Sequence, residues 1–283
     1  MSPTAATDAQ EDGAKPDRWP GRIERWSASG TRGQDRTAPP GLILICEHAS
    51  NAVAGPWGDL GVGSEVLADH VGWDAGALGL ARALAERLAE RCGGTELVHA
   101  PLSRLICDLN RSPERPDAMP DHVERHDIPA NRQLPAQARL DRTEAIYLPF
   151  HATVQARTAR ALALGARPAI VTIHSFTQHW LGTRREVEFG IIHDDDPALA
   201  LAIMAASAET GLTTRMNEPY SAADHVTHTL RLQALPYGLP NAMLELRRDL
   251  IASPSAEAAM ADRLAPVLAK AITEIKGAPC RAS

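Results

Sequence analysis

Two aliphatic runs dominate the hydrophobic pattern of the chain, and each delivers a histidine near its end. Residues Ala169 to Gln178 (AIVTIHSFTQ) follow Pro168 with β-branched residues in a row, the pattern of a strand buried on both faces. Residues Leu42 to His48 (LILICEH) repeat the design after Pro39-Pro40-Gly41 and finish in a carboxylate and an imidazole. From Asp69 the pattern turns helical, with Leu78, Leu80, Ala81, Leu84 and Leu88 apolar and Glu86, Arg87 and Glu90 polar, until Gly93-Gly94 stops it. Glu96 to Ala100 and Arg104 to Asp108 read as short strands, Thr143 to Leu164 as a long helix, and Glu186 to His193 as another strand. Leu199 to Glu209 and Thr227 to Gln233 are helical, Asn241 to Leu246 is a strand, and Pro254 to Ile275 closes the chain as a helix. Strands alternating with helices predict an α/β sandwich with a mixed or largely parallel sheet.

Two segments fall outside this pattern. Residues 1–38 are rich in Ala, Asp, Pro, Gly, Thr and Arg without sustained periodicity, which predicts a flexible N-terminal arm ahead of a single catalytic domain over 39–283. Trp19 and Trp26 are its only anchors to a core. Residues 112–135 carry five prolines and many polar groups, an irregular stretch that reads either as a lid or specificity loop or as a disordered insertion.

Composition narrows the class. A chain of 283 residues, 44% hydrophobic and 23% charged, has the make-up of a soluble globular enzyme-sized protein. A net charge of −6 excludes the clustered basic surface of a nucleic-acid binder. No apolar run has membrane-spanning length and no signal peptide is visible, so a cytoplasmic location is expected. Cys46, Cys92, Cys107 and Cys280 show no paired metal spacing, and Cys46 and Cys107 sit inside apolar runs as small hydrophobes.

Strand ends at the carboxyl edge of a sheet are where α/β enzymes assemble their sites. His48 and His174 can bring two nitrogen ligands to one metal ion, or each can be a strand-end imidazole bonded to a carbonyl. Ser175 is excluded as the partner of His174 in a nucleophilic pair, because adjacent strand residues point to opposite faces. The acidic run Asp194-Asp195-Asp196 before Pro197 reads as the N-terminal chemistry of a helix.

Four short motifs stand in order: Glu47-His48, Asp108-Leu109-Asn110-Arg111, Ile173-His174-Ser175-Phe176-Thr177-Gln178, and Glu245-Leu246-Arg247. With His70-Val71-Gly72-Trp73-Asp74, Pro149-Phe150-His151 and Asn217-Glu218-Pro219-Tyr220-Ser221, they resemble the N-formylglutamate amidohydrolase family from about Gly41 to Ile251, and more distantly the zinc carboxypeptidases. The resemblance implies a three-layer α/β/α sandwich with a mixed sheet, zinc-carboxypeptidase-like (phosphorylase/hydrolase-like). It implies one Zn2+ per chain, another divalent metal being an alternative, held by His48, His174 and a third ligand. The carboxypeptidases have a glutamate three residues after the first histidine, where this chain has Asn51. Asp74, which opens the first helix beside the first strand, is the chosen third ligand, with Glu47 and His151 as alternatives. Asp74 also fits a plain acid at a helix N-terminus.

By the same resemblance Glu245 is the general base, Asn110 and Arg111 grip the substrate's α-carboxylate, and Tyr220 forms part of the pocket wall. Arg104 is near enough in sequence to bind a second carboxylate, or to pair with Asp108. The implied activity is hydrolysis of an N-formyl or other N-acyl group from an amino acid, N-formylglutamate-like, with a small molecule as the only expected partner. The competing readings are another N-acyl or carboxypeptidase-like hydrolase and a binding protein that has lost catalysis. His225 and His228 stand where the family tends to have Gly and Tyr, which bears on the substrate more than on the reaction.

Overall fold

A computed structural model describes residues 18–29, 32, 38–180 and 182–277. Its strands in chain order are β1 (Arg22–Trp26), β2 (Leu42–Cys46), β3 (Thr95–His99), β4 (His122–Val123), β5 (His126–Asp127), β6 (Ala169–Phe176), β7 (His179–Trp180), β8 (Thr183–Arg184), β9 (Phe189–Ile192), β10 (Thr214–Met216) and β11 (Asn241–Arg247). The helices are α1 (Ser64–Ala68), α2 (Ala77–Cys92), α3 (Ala136–Arg142), α4 (Leu148–Ala163), α5 (Ala198–Ala206), α6 (His228–Gln233) and α7 (Pro254–Gly277).

Seven strands form one sheet in the order β1-β3-β2-β6-β11-β9-β10. Its centre, β3-β2-β6-β11, is parallel, while β1 joins β3 and β9 joins β11 antiparallel. The sheet is therefore mixed, and it lies between two helical layers. Leu42, Leu44, Val171 and Ile173 face α2, α5 and α7 on one side. Ile43, Ile45, Ile170 and Met243 face the helices carrying Phe150, Val154 and Leu230 on the other. Burial on both faces is why β2 and β6 read as unbroken aliphatic runs. Among the described residues no helix is long and apolar enough to cross a membrane.

Four segments differ from the sequence reading or sharpen it. Arg22–Trp26, placed in the arm, pairs with β3 as an edge strand and buries Trp26 in the core, while Trp19 packs against the opposite cluster. Residues 1–17 of that arm and Cys280 lie outside the described residues.

Arg104–Asp108, read as a strand, is a run of turns. Its carbonyls are claimed by side chains: Asn131 Nδ2 donates to Leu105 O at 2.9 Å, and Arg142 Nη1 donates to Ile106 O at 2.9 Å. With those acceptors satisfied, the segment gains nothing from a ladder.

The 112–135 stretch is ordered by the same device. Arg139 Nη2 donates to Pro113 O at 2.6 Å and to Arg115 O at 2.8 Å, and midway the stretch folds back in a small hairpin of β4 and β5. The long helix starts earlier than its periodicity suggests, α3 running through one π turn at Thr143–Tyr147 into α4.

Candidate metal centre

The register of the central strands brings three of the four motifs to one edge, and the turns after β3 bring Asp108 against His48 there. β6 and β11 pair so that Glu245 stands beside His174. β2 and β6 pair from Leu42 against Ala169 to Ile45 against Thr172, and the same register puts Glu47 level with His174. On the far side of Glu245 stands Gly190 of β9, where a Cβ would lie 2.1 Å from the Glu218 carbonyl. Only glycine lets that loop pack so near the base of Glu245.

Asp74 reaches the edge from the turn ahead of α2. Its N–H donates to the His48 carbonyl at 2.9 Å, and the turn is closed by Gly72, whose Cβ would meet Leu67 O at 2.4 Å.

The two histidines present the same nitrogen to the same carboxylate. His48 Nδ1 lies 3.3 Å and His174 Nδ1 2.9 Å from Asp74 Oδ2. The three residues offer ligand atoms all within 4.8 Å of one another, and all three are buried. Ligands at ~2.0–2.2 Å in a tetrahedral shell stand a little over 3 Å apart, close to both separations from Asp74 Oδ2, so this donor set fits a zinc-sized cation.

The outer nitrogens support the same assignment. His48 Nε2 lies 2.8 Å from Asp108 Oδ1, and His174 Nε2 lies 3.2 Å from Glu47 Oε2, the latter an ion-pair contact without a well-directed hydrogen bond. An imidazole that gives its Nε2 hydrogen to a carboxylate keeps a lone pair on Nδ1 for a cation. His151, an alternative ligand, is elsewhere: its Nε2 donates to Leu109 O at 2.9 Å and its Nδ1 faces Gln233 at 3.3 Å. Glu47, the other alternative, backs His174 on the side away from Asp74.

Burial raises the cost of charge throughout this cluster, and the neighbours decide which groups keep it. Against that burial, His48 and His174 hold the Asp74 carboxyl below the usual range, and Arg104 and His48 hold Asp108 well below it. His174 likewise overcomes burial to lower Glu47. Burial opposes protonation of His174, but Glu47 and Asp74 outweigh it and hold its pKa well above the ordinary value. Glu245 goes the other way. Burial pushes it up to about 7, Asp74 adds to the rise, and its Oε2 has no hydrogen-bond partner among the described residues.

A cavity of about 490 Å³ opens over this cluster, and its wall includes Arg104, Arg111, Asn110, Tyr220 and Glu245. Arg111 is fixed by Asp117 Oδ2 at 3.1 Å and by the carbonyls of Asn110 and His225 at 3.0 and 3.1 Å. Asn110 uses its amide on the backbone, donating to Val226 O and accepting from Thr229 N at 3.0 Å. Arg104 pairs with Asp108 through Nη2 at 2.6 Å and Nε at 3.1 Å, and approaches Asp74 Oδ1 at 3.5 Å.

The 112–135 stretch supplies the cavity's opposite wall through Asp117, His122, Val123 and Glu124. His228 is not part of it: its Nε2 meets the Tyr147 hydroxyl at 2.7 Å behind the site. His225 has a φ of 58°, a left-handed conformation that favours the glycine expected there.

Other candidates fall away. Ser175 Oγ donates to Ala75 O at 2.9 Å, and burial pushes the Cys107 thiol up to about 12. Asp196 Oδ1 accepts from Ala198 N at 3.0 Å, the helix-start role read from the sequence. Two residues were not foreseen in their present places. Asp108 and Glu47 back the histidines, and the only sequence signal for either is its position beside a motif.

Comparison with known proteins identifies the fold and the family. A gene product of Agrobacterium tumefaciens of known structure is 43% identical over 90% of this chain and 96% of its own, with a TM-score of 0.82. An N-formylglutamate amidohydrolase from Ralstonia eutropha JMP134 shares the fold at a TM-score of 0.64, with 15% identity over 91% of this chain and 98% of its own. Among curated proteins none matches. The model of the N-formylglutamate amidohydrolase family matches residues 41–252, a span that contains every motif gathered at the sheet edge, and the chain belongs to that family.

Proposed function

We propose that this chain is a metal-dependent hydrolase that removes an N-formyl group from an amino acid, with N-formyl-L-glutamate as the first candidate substrate. One observation carries the metal reading: His48, Asp74 and His174 offer ligand atoms within 4.8 Å of one another, both imidazoles turn Nδ1 to the same Asp74 oxygen, and each is backed by a second acid. His48, Asp74 and His174 would hold the ion. A bound Zn2+ supplies Lewis acidity, polarising a carbonyl and acidifying water.

The chain's own groups do the rest. Glu245 accepts a proton from the attacking water and returns it to the departing amine, for which a carboxyl with a pKa near 7 is well matched. Arg111, its guanidinium already steadied on two carbonyls and Asp117, binds the α-carboxylate through its remaining Nη2. Asn110 supports that arginine by holding the 226–229 backbone, and Tyr220 contributes a hydroxyl from the wall. Arg104 is occupied by Asp108 and Asp74, which favours a role in positioning those acids over binding a second carboxylate. That same observation favours a second reading, an N-formyl substrate with a neutral side chain.

Formate release from a panel of N-formyl-glutamate, -aspartate, -leucine and -alanine tests both. The expected result is turnover of formylglutamate, lost on chelation and restored by zinc. A preference for formyl-leucine would favour the second reading. No formate from any member, with zinc present, would refute the proposal.

A further inference from the structure

Arg185 belongs to no motif and to none of the roles above, yet its side chain is held among aromatic residues of the cavity wall. Its guanidinium lies 5.0 Å from the ring centroids of both Trp180 and Tyr220 and 5.5 Å from that of Phe176. Those three rings line the cavity, as do Arg111 and Glu245. Its backbone is tied down as well: its N–H donates to Gln178 O at 2.9 Å, and its carbonyl accepts from Arg247 Nη1 at 3.3 Å. Arg247 is two residues beyond Glu245 on β11, so the arginine is built onto the strand that carries the proposed base.

Held in this way, Nη1 donates to the Tyr220 hydroxyl oxygen at 3.1 Å and to Thr177 O at 3.4 Å. A guanidinium has five donors and no acceptor, so the Tyr220 hydroxyl cannot return a hydrogen bond to it. The phenolic proton must point elsewhere. The ring faces the cavity, where a bound amino acid derivative would bring carboxylate oxygens, its strongest acceptors at neutral pH.

We propose that Arg185 is a positioning residue that fixes the Tyr220 hydroxyl as a hydrogen-bond donor toward a carboxylate of the bound substrate. The inference deepens the proposed function and rests on it for the identity of the substrate. Arg185 acts through tyrosine and needs no contact with the substrate itself. Cation–π contact with three rings and two backbone anchors hold it in place for that task.

A double-mutant cycle separates this from a merely structural role. Tyr220→Phe keeps the ring on which the guanidinium stacks and removes only the hydroxyl. It should raise KM for N-formyl-L-glutamate about ten- to a hundredfold, the scale of one hydrogen bond to a charged group, with kcat within about twofold. Arg185→Lys keeps the charge and loses the stacked fork, and should raise KM about three- to tenfold. Combined with Tyr220→Phe, Arg185→Lys should change KM by less than about twofold, because its target is gone.

Multiplying effects on KM, or an Arg185→Lys effect confined to kcat, would overturn the proposal. If Arg185→Lys does not fold, Arg185→Gln carries the same expectations with a planar neutral donor. Calorimetric binding of L-glutamate to the zinc-loaded protein repeats the cycle without any acyl chemistry. If the parent binds glutamate with the expected cycle yet cleaves no formyl amino acid, the proposed reaction fails and Arg185 keeps its role. If the parent binds no glutamate, or the cycle on its Kd is multiplicative, the role itself fails.

Discussion

Two clusters of charge built around buried acids flank the sheet, and they are finished differently. At the β1–β3 edge, Glu96 receives Arg157 through two bonds of 2.7 and 3.0 Å and Arg25 through a third of 3.1 Å. Glu24 there takes Arg82 at 2.7 and 2.9 Å and also Arg32. Arginines outnumber acids, and apart from His99 Nδ1 the cluster's buried polar atoms have partners. At the carboxyl edge, Glu47, Asp74, Asp108 and Glu245 gather around two histidines and one arginine, Arg104. Among the described residues, both Glu47 oxygens, Glu245 Oε2 and His174 Nε2 have no well-directed hydrogen bond, although Glu47 and His174 keep an ion-pair contact of 3.2 Å.

A buried acid left short of donors costs stability, so a fold that keeps several together at a cavity is poised to receive something positive. The first cluster is closed on itself. The second is open, and that difference is what marks it as the candidate functional cluster.

The sharpest way to break the comparison is to damage the closed cluster. Glu96→Ala leaves Arg157 buried without its partner, and should cost about 3–5 kcal/mol of stability by denaturant unfolding. Zinc affinity of the folded fraction should stay unchanged, since Glu96 touches none of the proposed ligands. A fall in zinc affinity would mean that the two clusters are coupled and the distinction is false.

In the open cluster, Glu245→Gln keeps shape and removes the proton acceptor. Turnover should fall about 10²-fold or more with normal metal content, whereas stability should hold or rise because a strained carboxyl has been neutralised. Turnover within a few-fold of the parent would remove Glu245 from the mechanism.

The smallest effect concerns a third polar group, His151, which lies behind the site among Tyr147, His228, Gln233 and the Leu109 carbonyl, within the field of Glu47. Burial and the neighbouring His228 lower its pKa from 6.5 to about 4. The folded value lies below the unfolded one, so the unfolded chain takes up the proton first as pH falls. Its contribution is present above pH ~6.5 and is lost as pH drops toward ~4. Between pH 7.5 and 5 the loss should be about 1–2 kcal/mol, and His151→Asn should flatten that slope. An equal slope in parent and variant would place the proton elsewhere.

How much of this was legible beforehand follows from distance along the chain. His48 and His174 announce themselves because a strand buried on both faces must be aliphatic, and a polar residue at its end stands out. Asp74 and Glu245 were reachable by motif order. The partners of the histidines were not: Asp108 meets His48 across 60 positions and Glu47 meets His174 across more than twice that, and no local pattern encodes either approach.

Arg104–Asp108 looked like a strand because Leu105, Ile106 and Cys107 are apolar and buried, but its carbonyls are taken by Arg142 and Asn131 from 25 or more residues away. Arg22–Trp26 went unread for the opposite reason. An edge strand with one solvated face needs few apolar residues, and its glutamate and arginines mimic a linker. Arg185 was invisible because its significance lies in three rings that come together only in the fold.

The central claim is that the open cluster is a cation site built by His48, Asp74 and His174 and oriented by Asp108. Calorimetric titration of metal-stripped protein with zinc tests it most directly. The account predicts one zinc per chain for the parent, no measurable tight binding after His48→Ala or His174→Ala with the fold intact by circular dichroism, and weakened binding after Asp74→Asn. Asp108→Asn should bind about 10- to 100-fold more weakly, the usual scale for losing a carboxylate behind a metal-bound histidine. A parent that takes up no zinc, or histidine variants that bind it as well as the parent does, would contradict the account.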